Sequence, residues 1–174
     1  YNEQYNPKKF MEAEIGYVKG NESPSTPQIG RVEVPEHPTT PPAKTTLEEA
    51  IQFAQAVDID MLAVSVGTTH GVYKTQSEID FDLLAKLREI LPVPLVQHGT
   101  CGISLDNLSR LAKTGMAKIN FGEPFRFNYI RYFNELTDAF EHRWHPWRIQ
   151  QEVKNRLCKD MIDIICAIGA EGKA

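Results

Sequence analysis

Residues 61–74 read MLAVSVGTTHGVYK, an apolar run that gives way to a polar turn containing glycines. The run at 61–66 is typical of a buried strand. The turn places His70 directly before Gly71, and neutral imidazole is the commonest metal ligand in proteins. Glycine allows the backbone to approach a ligand closely. Lys74 adds a positive charge, so we interpret this turn as a functional loop at the end of a buried strand.

The same pattern recurs one strand–helix unit later. Residues 93–97 are mainly apolar, and the turn HGTCG follows at 98–102. A single histidine is usually a packed or solvated residue, but His70 and His98 at equivalent strand ends favour a shared metal site. The second turn also resembles an anion-binding loop before a helix, although an ordinary strand–helix turn has the same pattern.

The chain around these turns alternates between strand and helix patterns. Helix caps are predicted at Thr46, Asp80 and Ser104, each directly before a helical pattern. This alternation predicts an α/β fold with a parallel sheet and with its chemistry at the carboxyl ends of the strands. The predicted strands are residues 10–17, 61–66, 93–97 and 117–121, and the predicted helices are about 47–57, 81–91, 105–114, 125–141 and 147–168.

The first predicted strand carries two acidic residues on one face, Glu12 and Glu14. On an antiparallel strand such a face points to solvent. In a parallel barrel it points inward, where a carboxylate needs a partner or a metal. Glu14 is therefore a candidate metal ligand beside His70 and His98, and histidine nitrogens with a carboxylate oxygen suit zinc.

A long loop follows that strand. Residues 19–45 contain six prolines and show no helical period. Loops of this length are often mobile or act as lids, so we predict an active-site loop with Glu22 near its start. We treat residues 1–174 as a single domain in which 146–174 form a C-terminal helix and tail.

The composition excludes several classes of protein. The 174-residue chain carries a net charge of -4 without a basic patch, so we expect no nucleic-acid partner. No apolar run reaches the roughly 18 residues that a membrane span needs. Three scattered cysteines predict a reducing, cytoplasmic setting. The chain begins at Tyr1 and enters a strand almost at once, so we expect a sequence cut in its middle.

Five motifs together resemble the C-terminal half of the class II, zinc-dependent ketose-bisphosphate aldolases, which include the fructose- and tagatose-bisphosphate aldolases. They are EAEIG at 12–16, GTTHGVYK at 67–74, HGTCG at 98–102, KIN at 118–120 and IGAEGKA at 168–174. The resemblance implies a (β/α)8 barrel of which this chain supplies strands five to eight.

The resemblance also implies roles for individual residues. His70 and His98 would be zinc ligands, with Glu14 at the metal site, and Glu22 takes the place of a loop carboxylate that moves a proton. Substrate- or phosphate-binding positions fall on Gly71, Lys74, Gly99, Cys101 and Asn120.

Two departures from the family pattern concern the phosphate site. Cys101 replaces a serine and is a poorer hydrogen-bond donor, and Glu123 takes the position of a small hydroxyl residue. A carboxylate about 4 Å from a phosphate costs roughly 4 kcal/mol per unit charge at an effective dielectric of about 20. We therefore predict an altered phosphate site unless Lys74, Arg126 or a shifted turn offsets the charge.

These observations predict a zinc-dependent class II aldolase that cleaves or forms a C–C bond in a ketose (bis)phosphate or related sugar. In the family, a further zinc-binding histidine and a catalytic aspartate lie on earlier strands, so we expect upstream sequence or another polypeptide to complete the barrel. We also expect a homo-oligomer, either dimer or tetramer. The alternatives are a non-catalytic aldolase-like subunit used in binding or assembly, and a zinc hydrolase on the same barrel.

Overall fold

The computed structural model describes residues 9–16, 36–38, 42–76, 78–139 and 144–173 of the 174-residue chain. Most of the predicted loop at 19–45 lies outside these ranges, as does residue 17 at the end of the first predicted strand.

Four short parallel strands form one sheet in chain order, β1-β2-β3-β4. The predicted α/β fold with a parallel sheet is therefore confirmed. The strands are shorter than their apolar runs. Beyond β2, Val66 forms an antiparallel bridge with Lys44, because the segment entering the first helix takes over hydrogen bonding there. The bounds are Glu12–Glu14 for β1, Met61–Ala63 for β2, Leu95–Gln97 for β3 and Met116–Ile119 for β4.

Five helices accompany the strands in the described residues, and three begin at the predicted caps. Thr46 forms a reciprocal capping box with Glu49, while Asp80 and Ser104 accept backbone N–H bonds at the next two helix starts. The fourth helix begins earlier than predicted, so Glu123 is its first residue. The bounds are Leu47–Ala56 for α1, Phe81–Ile90 for α2, Leu105–Thr114 for α3, Glu123–Ala139 for α4 and Pro146–Ala167 for α5.

The core lies between the sheet and helices α1 to α3. Strand residues Leu62 and Leu95 are fully buried against Leu84 and Leu87 of α2 and Leu111 of α3. A second apolar cluster joins α4 to α5, and α5 also contacts α3. Among the described residues, no helix combines the length and the apolar character of a membrane-crossing segment.

The sheet is curved, and one ion pair shows it. Lys118 of β4 places its Nζ 2.7 Å from Oε2 of Glu12 on β1. These two strands lie at opposite edges of the sheet, three spacings or about 14 Å apart along it. Side chains stand roughly perpendicular to a sheet, so those of a flat sheet would remain far apart. Glu12 and Lys118 therefore share a concave face, as in a segment of a barrel wall.

The anchoring of α2 depends on Asp80. Its Oδ1 accepts from the Leu83 backbone N–H at 2.9 Å, and its Oδ2 lies 2.8 Å from Nζ of Lys44. Replacing an N-cap acidic residue by alanine typically costs about 1 kcal/mol. We predict that Asp80→Ala lowers the free energy of unfolding by that amount in urea denaturation. Asp80→Asn keeps the acceptor and should lose less, and equal stability of wild type and Asp80→Ala would contradict the cap.

The stability difference between wild type and Asp80→Asn should also depend on pH. Hydrogen bonds from Lys44 and from the Leu83 backbone hold the pKa of Asp80 below its ordinary value of 3.8. Because the folded pKa is the lower one, the carboxylate stabilises the fold above pH 3.8, and this contribution disappears as the pH falls through the folded pKa. Urea denaturation above and below this pKa measures how the stability difference changes. A stability difference between wild type and Asp80→Asn that grows as the pH falls would contradict the lowered pKa of Asp80.

Candidate metal centre

Three side chains converge at the carboxyl ends of β1, β2 and β3. One donor atom each from Glu14, His70 and His98 lies within 4.8 Å of the other two. The rings of His70 and His98 are 5.8 Å apart between centroids and nearly perpendicular, at 81°. Nδ1 of His98 lies 3.2 Å from Oε2 of Glu14. The structure thus brings together the three residues that the sequence proposed as metal ligands.

The sheet register explains this convergence. Glu14 is the last residue of β1 and pairs with Ala63, the last residue of β2. Ala63 in turn pairs with Val96 on β3, two residues before His98. The ends of the three strands are therefore aligned, and His70 reaches the same edge from the turn after β2.

His98 is held between two carboxylates of β1. While Nδ1 faces Glu14, Nε2 lies 3.1 Å from Oε1 of Glu12. Burial raises the pKa of Glu12, but hydrogen bonds from Lys118 and His98 outweigh it, and the net pKa lies below its ordinary value. The sequence pattern places Glu12 on the same strand face as Glu14 but does not predict it as a site residue. Its alternate-residue spacing from Glu14 was the signal that could have identified it.

Asn120 completes the surroundings of His98. Its Nδ2 lies 2.9 Å from Nε2 of His98. The Asn120 backbone is fixed on both sides, because its N–H donates to Gln97 and its carbonyl accepts from the hydroxyl of Thr100 at 2.8 Å. The predicted substrate residue therefore lies at the same end of the sheet as the candidate metal ligands.

The two histidine-bearing turns pack directly on one another. Gly99 has a φ of 69°, and a Cβ at this position would lie only 2.6 Å from the Thr69 carbonyl oxygen. The Thr68 hydroxyl also donates to the His98 carbonyl at 2.9 Å. The contact between turns accounts for the glycine, and its role in ligand binding stays a prediction.

Gln76 forms hydrogen bonds to both histidine-bearing turns, and the sequence pattern did not predict this role. Its Nε2 donates to the carbonyls of Thr69 at 3.0 Å and Cys101 at 2.6 Å, and its Oε1 accepts from the Thr69 N–H at 3.3 Å. No motif distinguishes a glutamine in a polar segment, so only the packed structure identifies it.

Three other predicted binding or catalytic residues are Gly71, Lys74 and Glu22. Gly71 has a φ of 132° and is packed against the ring of Tyr73. Lys74 is exposed and pairs with Oε2 of Glu36 at 3.0 Å. Glu22 lies outside the described residues.

Cys101 and Glu123 are both buried. The Cys101 thiol donates to the Tyr73 carbonyl at 3.4 Å, and burial raises its pKa, a shift to which the nearby charge of Glu123 adds. Oε1 of Glu123 lies 2.6 Å from Nη2 of Arg126, and its side chain is only 11% exposed. Glu123 is therefore turned inward and paired with a cation.

The contact between the turns can be tested at Gly99. We predict that Gly99→Ala lowers the free energy of unfolding by at least about 1–2 kcal/mol, because alanine is strained at a positive φ and its Cβ meets the Thr69 carbonyl. Gly122→Ala is the matched control, since a Cβ there has no neighbour within 4 Å. Chemical denaturation measures both, and equal losses for the two variants would contradict the packing described.

Comparisons with known proteins assign the chain to a family. The model of the family "fructose-bisphosphate aldolase class-II" matches residues 6–173. The crystal structure of the YdjI aldolase from Escherichia coli K12 is similar, with a TM-score of 0.67 and 26% identity over 94% of this chain and 50% of that chain. A putative fructose-1,6-biphosphate aldolase from Coccidioides immitis has a TM-score of 0.64 and 26% identity, over 76% of this chain and 45% of that one. The chain thus spans about half the length of these two proteins, and it belongs to the class II fructose-bisphosphate aldolase family.

Proposed function

We propose that the protein is a zinc-dependent class II aldolase that cleaves or forms a C–C bond in a ketose (bis)phosphate or a related sugar. The observation that carries the proposal is the donor set of Glu14, His70 and His98, whose ligand atoms lie within 4.8 Å of one another. Membership of the class II aldolase family supports the reaction type.

The donor set fits zinc by its chemistry. Catalytic zinc sites combine three nitrogen, oxygen or sulfur ligands from the protein with an open position. Two imidazoles and a carboxylate meet that requirement at the end of a parallel sheet. With neutral imidazoles, Glu12 and Glu14 contribute two negative charges and Lys118 one positive charge. The cluster therefore favours a cation electrostatically.

Bound zinc would supply Lewis-acid polarisation of the substrate carbonyl. The chain's own residues hold and orient the reactants. His70, His98 and Glu14 would hold the metal. Asn120, next to His98, offers an amide for a substrate hydroxyl. Glu22, on the predicted loop, would act as the group that moves a proton.

An altered phosphate site is the second part of the proposal. The inward position of Glu123 supports it, because a buried carboxylate opposes a phosphate that approaches the Cys101 turn. Arg126 offsets part of that charge but is thereby occupied by Glu123 at 2.6 Å. The Cys101 thiol hydrogen is likewise directed to the Tyr73 carbonyl. We infer a substrate end that is less anionic than a phosphate monoester, or one that is bound by other groups.

Metal removal tests the reaction. We predict that the protein binds one zinc ion, that His70→Ala loses most of it, and that a chelator abolishes aldol cleavage. Borohydride with substrate should trap no covalent adduct, because the mechanism uses no Schiff-base lysine. His145→Ala, which changes a histidine at the start of α5, is the control that should retain zinc.

Elemental analysis and a coupled cleavage assay measure these outcomes. Activity that survives the chelator would reject the metal-dependent mechanism. Zinc binding without turnover of any ketose phosphate would instead point to the non-catalytic alternative.

The phosphate proposal is tested at Glu123. We predict that Glu123→Gln tightens the binding of inorganic phosphate about tenfold, or about 1.4 kcal/mol, because it removes a buried negative charge and releases Arg126. Glu135→Gln is the matched control, since Glu135 lies on the same helix as Glu123 and also pairs with arginines, Arg131 of α4 and Arg156 of α5. Isothermal titration with phosphate measures both variants. Unchanged phosphate affinity in Glu123→Gln would show that this carboxylate does not govern the site.

A further inference from the structure

We propose that Glu12 is a positioning residue that holds His98 in the tautomer needed for metal binding, and that Lys118 in turn holds Glu12. The inference rests on the proposed metal site and concerns two residues outside its donor set. Glu12 and Lys118 lie on the two edge strands of the described sheet, and their side chains meet on its concave face.

The two nitrogens of His98 face different carboxylates. Nδ1 lies 3.2 Å from Glu14, and Nε2 lies 3.1 Å from Glu12. A neutral imidazole has one N–H donor and one lone pair, whereas an ionised carboxylate only accepts hydrogen bonds. Each nitrogen therefore interacts favourably with its carboxylate only when it carries a proton or shares a cation with that carboxylate.

A divalent cation can be shared by only one of these two nitrogen–carboxylate pairs. If the cation is shared by Nδ1 and Glu14, the imidazole proton remains on Nε2, and Oε1 of Glu12 accepts it. Metal-bound histidines commonly donate their second N–H to a carboxylate, which fixes the tautomer and the ring orientation. The distances around His98 match this pattern on both sides of the ring.

Lys118 fixes the orientation of Glu12. Its Nζ lies 2.7 Å from Oε2, so one carboxylate oxygen faces the lysine and the other faces His98. The same ammonium group disfavours Glu12 as a metal ligand, because a second cation at that carboxylate would be repelled. The two acidic residues of β1 thus have different roles, with Glu14 binding the metal and Glu12 orienting its histidine ligand.

A proton on Nε2 would also change the hydrogen bonding of the Asn120 amide. The Asn120 amide nitrogen lies 2.9 Å from Nε2 and can donate to it only while that nitrogen carries a lone pair. When Nε2 carries the proton, the amide is released for another acceptor. Metal binding at Nδ1 would therefore make the Asn120 amide available to a substrate.

The experiment measures zinc affinity of the purified protein by competition with a chromophoric chelator. Loss of such an orienting carboxylate typically weakens metal affinity about 10–100-fold, and we expect Glu12→Gln to fall in the lower part of that range. Lys118→Met should also weaken binding, whereas Lys118→Arg should restore affinity to within about threefold of wild type. The double variant Glu12→Gln/Lys118→Met should be no weaker than Glu12→Gln alone, because the lysine acts only through Glu12.

Two controls separate positioning from general effects. Glu48→Gln removes one exposed carboxylate on α1 and should leave zinc affinity unchanged. The visible spectrum of the cobalt-loaded protein should shift in Glu12→Gln and stay constant in Glu48→Gln, because only the former changes the orientation of His98. Thermal unfolding of the metal-free variants checks that each is folded. Lys118→Met, at a side chain that is 44% exposed, provides an independent route if Glu12→Gln does not fold.

Three outcomes would overturn the proposal. Equal zinc affinity in Glu12→Gln, Glu48→Gln and wild type would mean that Glu12 does not position His98. Loss of zinc in Glu12→Gln as complete as in His70→Ala would make Glu12 a ligand instead. Absence of zinc binding in wild type would remove the proposed function together with this inference, so the two failures are distinguishable.

Discussion

The imidazole of His98 lies between two carboxylates of a single strand, and the rest of the site depends on this interaction. Glu12 and Glu14 reach opposite nitrogens of the same ring, at 3.1 Å and 3.2 Å. Glu12 is partly buried and Glu14 is exposed, and two carboxylates on one imidazole are unfavourable unless cations compensate them. Lys118 supplies one positive charge, and a divalent ion bound by Glu14, His70 and His98 would supply two more. The electrostatics of the fold thus favour the metal that the proposed chemistry requires.

Curvature of the sheet makes this interaction possible. Only on a concave face can a carboxylate on β1 meet an ammonium group on β4. The glycine at position 99 then allows the two histidine-bearing turns to touch, and Gln76 bonds one turn to the other. The positions of the imidazoles are consequently set by backbone contacts between turns as much as by the strands. Contacts of this kind position side chains through the backbone, and the proposed reaction would need such positioning.

Much of the fold was predictable because it is governed by local signals. The capping residues Thr46, Asp80 and Ser104 mark the starts of α1 to α3, and the predicted bounds of α3 are the same as those in the structure. Strand lengths were less predictable, because pairing between Val66 and Lys44 depends on a segment distant in sequence. At the site, the strand-end histidines could be found from pattern. The role of Gln76 could not be predicted, because hydrogen bonds between turns produce no periodic sequence pattern. The position of Glu123 in α4 could not be predicted either, because it depends on where that helix begins.

The chain belongs to the class II fructose-bisphosphate aldolase family and spans about half the length of the two similar solved structures described above. The central claim is that His70, His98 and Glu14 bind one zinc ion, and X-ray absorption at the zinc edge of the loaded protein tests it most directly. We predict nitrogen and oxygen scatterers at about 2.0–2.2 Å, with the multiple scattering of at least two imidazoles and no sulfur. A sulfur scatterer at about 2.3 Å, or fewer than two imidazoles, would contradict the account.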